Sequence, residues 1–199
     1  MNKNRIRLAV LAALMFGLCC AASAADDPQV KAMCFAAERN DVAEVRRLIA
    51  EGVDVNAKRN YDGATALMYA AENNSVDVAK VLIAAGADVN DKDRYGRTAL
   101  IYAAEKNYVD LARLLIEAGA DVNVKGKLNY TALITATWSN SVDVAKLLIE
   151  AGADLNAVNA NGNTALYYVR RNKSSPDLEK LLEAAGALYE VPNASDYMP

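Results

Sequence analysis

The chain has 199 residues, 53% of them hydrophobic, and sets 22 Lys and Arg against 25 Asp and Glu for a net charge of −3. That balance offers no basic footprint for a phosphate backbone. Histidine is absent altogether, which removes the commonest general base and metal ligand at neutral pH.

At the N-terminus Lys3, Arg5 and Arg7 precede an apolar run from Leu8 to Cys20, and Ala22-Ser23-Ala24 then supplies the small residues that a signal peptidase accepts. The run is shorter than the ~20 residues of a spanning helix. Residues 1–24 therefore read as a cleaved secretory leader, and the mature chain as periplasmic or secreted with no membrane span. A lipoprotein reading competes, with lipid on Cys19 or Cys20, but Leu18 precedes Cys19 and Phe16 stands at the usual Leu position. Cleavage after Ala24 removes three cations and moves the net charge from −3 to about −6. Cys34 is then the remaining cysteine, so no intrachain disulfide can form in an exported compartment. It occupies the slot of Met68 and Ile101 and reads as a small buried apolar residue.

From residue 25 to 189 the chain is periodic. Thr-Ala-Leu recurs at Thr65, Thr98, Thr131 and Thr164, once every 33 residues, and a period of that size marks a solenoid whose units bury their apolar faces only by stacking. The units run over about 30–61, 62–95, 96–128, 129–161 and 162–189, the first of them degenerate. Each complete unit carries two apolar stripes at helical spacing, such as Leu67, Ala70 and Ala71, then Val76, Val78, Ala79, Val81 and Leu82. Small alanines fall where two helices approach closely. Asn40, Asn74, Asn107 and Asn140 mark a tight turn between the helices, and Gly52, Gly86, Gly119, Gly152 and Gly186 end the second helix. Asp77 with Lys80, Asp110 with Arg113 and Asp143 with Lys146 form i, i+3 pairs on a solvated outer face. The first connecting loop, Asn56 to Gly63, is one residue longer than its equivalents. In the last unit Ser175 is placed to cap a helix beginning at Pro176, and Arg170 and Arg171 suit a polar terminal cap. The tail 190–199 has no periodicity.

The segment Gly96-Arg-Thr98-Ala-Leu100-Ile-Tyr-Ala-Ala104, followed by Val109-Asp-Leu-Ala-Arg-Leu-Leu115-Ile-Glu-Ala-Gly119-Ala-Asp-Val-Asn123, resembles an ankyrin repeat, and the likeness recurs over residues 30 to 189. It implies an all-α solenoid of about five helix-turn-helix units, with turn tips along one side and first helices lining a concave face. The family's usual Pro is replaced by Ala66, Ala99, Ala132 and Ala165, and its usual His by Met68, Ile101, Ile134 and Tyr167. Bonding between units that the His commonly provides is expected to pass to apolar packing.

Chemistry has little to stand on. There is no Cys cluster and no phosphate-binding Gly loop. Asp88, Asp121 and Asp154 supply one carboxylate per unit, too few for the oxygen shell of calcium. No enzyme activity, cofactor or metal is expected. The positions that vary over a constant scaffold are the informative ones. Seven residues after the repeat Thr come Glu72, Glu105, Trp138 and Arg171, and Trp138 is the chain's single Trp. An indole at an exposed helix end either contacts a partner or folds onto its neighbours as filler. Beside it the turn tips carry Tyr61, Asp62, Arg94, Tyr95, Lys127, Leu128 and Tyr130. With Glu105 and Trp138 they form the candidate partner-binding surface. Tyr69, Tyr102 and Tyr168 share a further slot, with Thr135 as its exception, and read as packing between units. The expected function is that of a monomeric, exported protein-interaction module serving as an accessory or protective factor for an enzyme. The alternative is an inhibitor or immunity-type protein, for which net acidity would suit a basic target. Nucleic acid is not an expected partner.

Overall fold

The computed structural model describes residues 27–173 and 175–189. The leader, Cys19, Cys20 and the cleavage site lie outside the described residues, as does the tail 190–199.

Ten α-helices are found among the described residues, in five antiparallel pairs: α1 (Pro28–Glu38) with α2 (Val42–Ala50), α3 (Ala66–Glu72) with α4 (Val76–Ala84), α5 (Ala99–Lys106) with α6 (Val109–Glu117), α7 (Ala132–Trp138) with α8 (Val142–Glu150), and α9 (Ala165–Asn172) with α10 (Pro176–Ala184). The odd-numbered helices pack in file as an inner layer and the even-numbered ones as an outer layer, so each pair touches the next along the stack. None of these helices is long and apolar enough to cross a membrane.

Local chemistry starts and stops these helices. The Thr98, Thr131 and Thr164 hydroxyls each accept from the amide three residues on, at 3.3–3.4 Å. Ser175 Oγ accepts from Leu178 N at 3.2 Å, as the sequence suggests. The turn asparagines Asn40, Asn74, Asn107 and Asn140 adopt φ of 55–60°, a region that Asn tolerates better than most residues. Gly119 has φ +90° at the end of α6, a conformation that needs no Cβ.

Burial follows the two stripes. In the inner layer Leu67, Leu100, Leu133 and Leu166 are fully enclosed together with the adjoining alanines, and Leu48, Leu82, Leu115 and Leu148 close the core from the outer layer. Cys34 is buried in the same core. Of the i, i+3 pairs, Asp77–Lys80 closes at 3.6 Å, whereas Asp143 accepts from Asn107 Nδ2 of the preceding unit at 3.3 Å. Arg170 bridges to Glu179 and Glu183 of α10, which gives the last pair its polar cap.

Stacking is not carried by apolar packing alone. Met68, Ile101 and Ile134 are buried where the His would stand, but a ladder of asparagines also ties each unit to the next. Asn56 accepts from Asp88 N at 2.8 Å and donates to Gly86 O at 3.1 Å. Asn90 repeats this with Asp121 N at 2.8 Å and Gly119 O at 3.2 Å. Asn123 accepts from Asp154 N at 2.7 Å, and Asn156 from Leu188 N at 2.7 Å. A side-chain amide serves here because it can accept from one main-chain group and donate to another at once.

Candidate functional site

The turn tips between units are short hairpins, and main-chain bonds join one tip to the next. Arg94 N donates to Asp62 O at 2.9 Å, Lys127 N to Tyr95 O at 2.7 Å, and Ala160 N to Leu128 O at 2.8 Å. Five of the predicted tip residues are therefore links in one continuous ridge. Tyr61 stands out from it at 81% exposure. Leu128 and Asn129 both take positive φ, 56° and 59°, and Leu128 is exposed. A leucine in that conformation costs about 1–2 kcal/mol, and here the cost leaves an apolar side chain pointing into water.

Charge on the ridge runs opposite to the net charge. Lys58, Arg59, Lys92, Arg94, Lys125 and Lys127 all lie on the tips or their stems. Lys58 pairs with Asp91 at 2.7 Å and donates to Lys92 O at 3.1 Å, while Lys127 Nζ rests 5.4 Å from the centre of the Tyr95 ring. Asp62, Asp91 and Asp93 lie in the same stretches, so the edge is cationic on balance although the chain as a whole is acidic.

The slot of Tyr69, Tyr102 and Tyr168 explains how the tips are held. Tyr69 Oη donates to Asp62 at 2.5 Å, and Tyr102 Oη to Asp93 at 3.0 Å. Tyr168 Oη accepts from Asn159 Nδ2 at 2.8 Å. Each phenol thus braces a tip from the inner helix beneath it. Burial, followed by the bond to Asp62, raises the Tyr69 phenol well above its ordinary value; burial is also the largest cause for Tyr102. Phe35 occupies the equivalent place in α1 and lies 5.9 Å from the Arg59 guanidinium.

Asp93 is the best-bonded of these anchors. Its side chain is wholly enclosed and accepts from Tyr95 N and Arg97 N at 2.8 Å, and from Arg97 Nε and Tyr102 Oη at 3.0 Å. The Arg97 guanidinium lies over Tyr102, 4.3 Å from its ring centre, and 5.2 Å from the centre of the Tyr95 ring. One carboxylate so fixes two rings and a guanidinium.

In the fourth unit the brace is missing. Thr135 stands in the ring slot, and Gly126 takes the place that Asp93 and Asn159 fill in the neighbouring hairpins. Tyr130 turns instead toward the next unit, its hydroxyl 2.9 Å from that of Tyr168. Burial, then that bond, pushes the Tyr130 phenol up to about 12. Beneath the tips this leaves a cleft of about 560 Å³ lined by Tyr95, Arg97, Ile101, Glu105, Gly126, Lys127, Tyr130, Thr135 and Trp138. The volume falls within the range of side-chain and small-ligand pockets. Trp138 is 54% exposed; it forms a wall of the cleft, and its carbonyl accepts from Asn172 Nδ2 at 3.1 Å.

Of the residues marked in the sequence, the structure gathers Tyr95, Glu105, Lys127, Tyr130 and Trp138 around this cleft. Tyr61, Asp62, Arg94 and Leu128 stay on the ridge outside it. Sequence reasoning missed Arg97, Ile101, Gly126 and Thr135 as lining residues. A signal was present, because the exceptions at Thr135 and Gly126 fall in adjoining slots of one junction. No group of His, Cys, Asp and Glu that could hold a metal is found among the described residues.

Two family models match the chain. The one described as "Ankyrin repeats (3 copies)" matches residues 9–93, 33–126 and 82–159, and the one described as "Ankyrin repeats (many copies)" matches residues 139–182. No curated protein matches.

Proposed function

Since the chain belongs to the ankyrin repeat family, whose repeats generally mediate protein–protein interactions, we propose that it is a non-catalytic binding module acting outside the cytosol. The observation that carries this reading is that Tyr61, Tyr95 and Leu128 are exposed along the tips while Trp138 is exposed in the cleft that Tyr95 also lines. These are large apolar groups held over a rigid, hydrogen-bonded frame, and Tyr and Trp dominate binding hot spots because they bury much area for few rotatable bonds. Leu128 adds to the argument, since its strained backbone contributes nothing to the core.

The exported location rests on Lys3, Arg5, Arg7, the apolar run to Cys20 and Ala22-Ser23-Ala24. Mass spectrometry of the mature protein tests it: an unmodified N-terminus at Ala25 is expected, and an intact Met1 or a lipidated Cys19 or Cys20 refutes it. The partner is a protein, and the role is that of an accessory or protective factor for an enzyme. Affinity capture from the exported fraction, followed by assay of the captured enzyme with stoichiometric chain, tests this role. Preserved or raised activity is expected, and abolished activity identifies an inhibitor instead.

A further inference from the structure

Resting on the interaction reading above, we infer that the cleft at the junction of the third and fourth units is a socket for one aromatic side chain of the partner, flanked in the partner by an acidic residue. The inner-layer slot that lies under the tips holds Phe35, Tyr69, Tyr102, Thr135 and Tyr168 in order. Four of the five are rings, and the gap falls at Thr135. The polar group that would meet the missing phenol is also gone, because Gly126 has no side chain where Asp93 and Asn159 reach a tyrosine hydroxyl. A Cβ at Gly126 would lie 3.2 Å from Gly96 O, so the neighbouring hairpin packs against the bare glycine, which also lines the cleft. What remains is the part of the 560 Å³ cleft lined by Ile101, Thr135, Tyr95, Tyr130 and Trp138, which is wide enough to admit a ring.

The charges select the occupant's surroundings. Arg97 and Lys127 line the cleft on the tip side and Arg94 is exposed on the adjoining tip, whereas Glu105 lies at the end of α5. Arg97 is already paired with Asp93 at 3.0 Å, while the Lys127 ammonium rests on the Tyr95 ring. A cationic guest would meet Arg97 and Lys127 over the same ring. An aromatic guest stacks on the walls, and an Asp or Glu beside it in the partner reaches Lys127 and Arg94.

The test fills the socket from inside. Thr135→Tyr places in α7 the ring that the other units carry at that position; Thr135→Leu is the smaller filling should the ring displace the helix, and Thr135→Ser leaves the space open. A phage-displayed library of random peptides is selected on the purified chain, and the recovered peptides are titrated calorimetrically against all variants, Trp138→Ala included, because that variant lacks the single Trp and with it any indole signal. The expected peptides share an aromatic residue with Asp or Glu close by. Their binding should fall roughly 30-fold or more, the hot-spot threshold, in Thr135→Tyr and Thr135→Leu, and hold in Thr135→Ser. Peptides that lack an aromatic residue overturn the inference. So do peptides that bind Thr135→Tyr unchanged yet are lost in Trp138→Ala, although that result leaves the interaction reading standing. Failure to recover any peptide overturns both.

Discussion

Replacing Asp93 probes how the tips are held. Asp93→Ala deletes an acceptor that serves two main-chain amides at 2.8 Å, one guanidinium at 3.0 Å and one phenol at 3.0 Å. Stranding a buried donor costs about 1–3 kcal/mol, and breaking a buried ion pair about 3–5 kcal/mol. The Arg97 side chain is about one-third exposed and can turn to water, so the total should fall near 3–4 kcal/mol. Asp93→Asn separates the contributions, because the last unit already uses Asn159 at this place. That asparagine accepts from Asn161 N at 2.9 Å and Asn163 N at 3.1 Å, and donates to Tyr168 Oη. An asparagine at 93 keeps both amide bonds and the phenol bond and loses Arg97 alone, for about 1–2 kcal/mol after allowing for exposure. Urea unfolding followed by far-ultraviolet circular dichroism measures both variants, since stability in a stacked array is a sum of unit and interface contributions. Equal losses for the two variants, or a loss under about 0.5 kcal/mol for Asp93→Ala, would refute the assignment of Asp93 as the anchor of the Tyr95–Arg97 tip.

Leu115 is fully enclosed where α6 meets the core, so Leu115→Ala should cost about 2–5 kcal/mol through lost transfer and cavity contributions; unchanged urea unfolding would show that the second helix of that unit is misplaced. Trp138→Ala removes a half-exposed indole, so it should weaken partner binding by about 2 kcal/mol or more with little change in melting, and the reverse pattern would assign the indole to the core. Because burial raises the phenols of Tyr69, Tyr102 and Tyr130, the folded state holds their protons more tightly than the unfolded chain does. Their contribution to stability is therefore complete below the ordinary phenol value of about 10 and is lost as pH rises from there through the raised folded values. Phenolate absorbance should show a late-titrating group of tyrosines whose ionisation coincides with loss of helix; titration of every tyrosine together near pH 10 with the fold intact would contradict the bracing role.

The sequence by itself determined the architecture. A 33-residue period with alanines at the helix contacts admits little but stacked helical pairs, and Asn107 and Gly119 announce their positive φ because few other residues adopt it without cost. Repetition averages out local ambiguity, so five copies of a weak pattern make a strong one. Repetition also showed which surface varies, and thereby pointed to Trp138, Tyr95 and Lys127. What it could not supply were contacts between residues about one period apart. The asparagine ladder joins Asn90 to Asp121, tip bonding joins Tyr95 to Lys127, and the open cleft needs Ile101 and Glu105 of one inner helix brought beside Thr135 and Trp138 of the next. These depend on the rise and twist from one unit to the next, which no single helix encodes and only the stacked core decides.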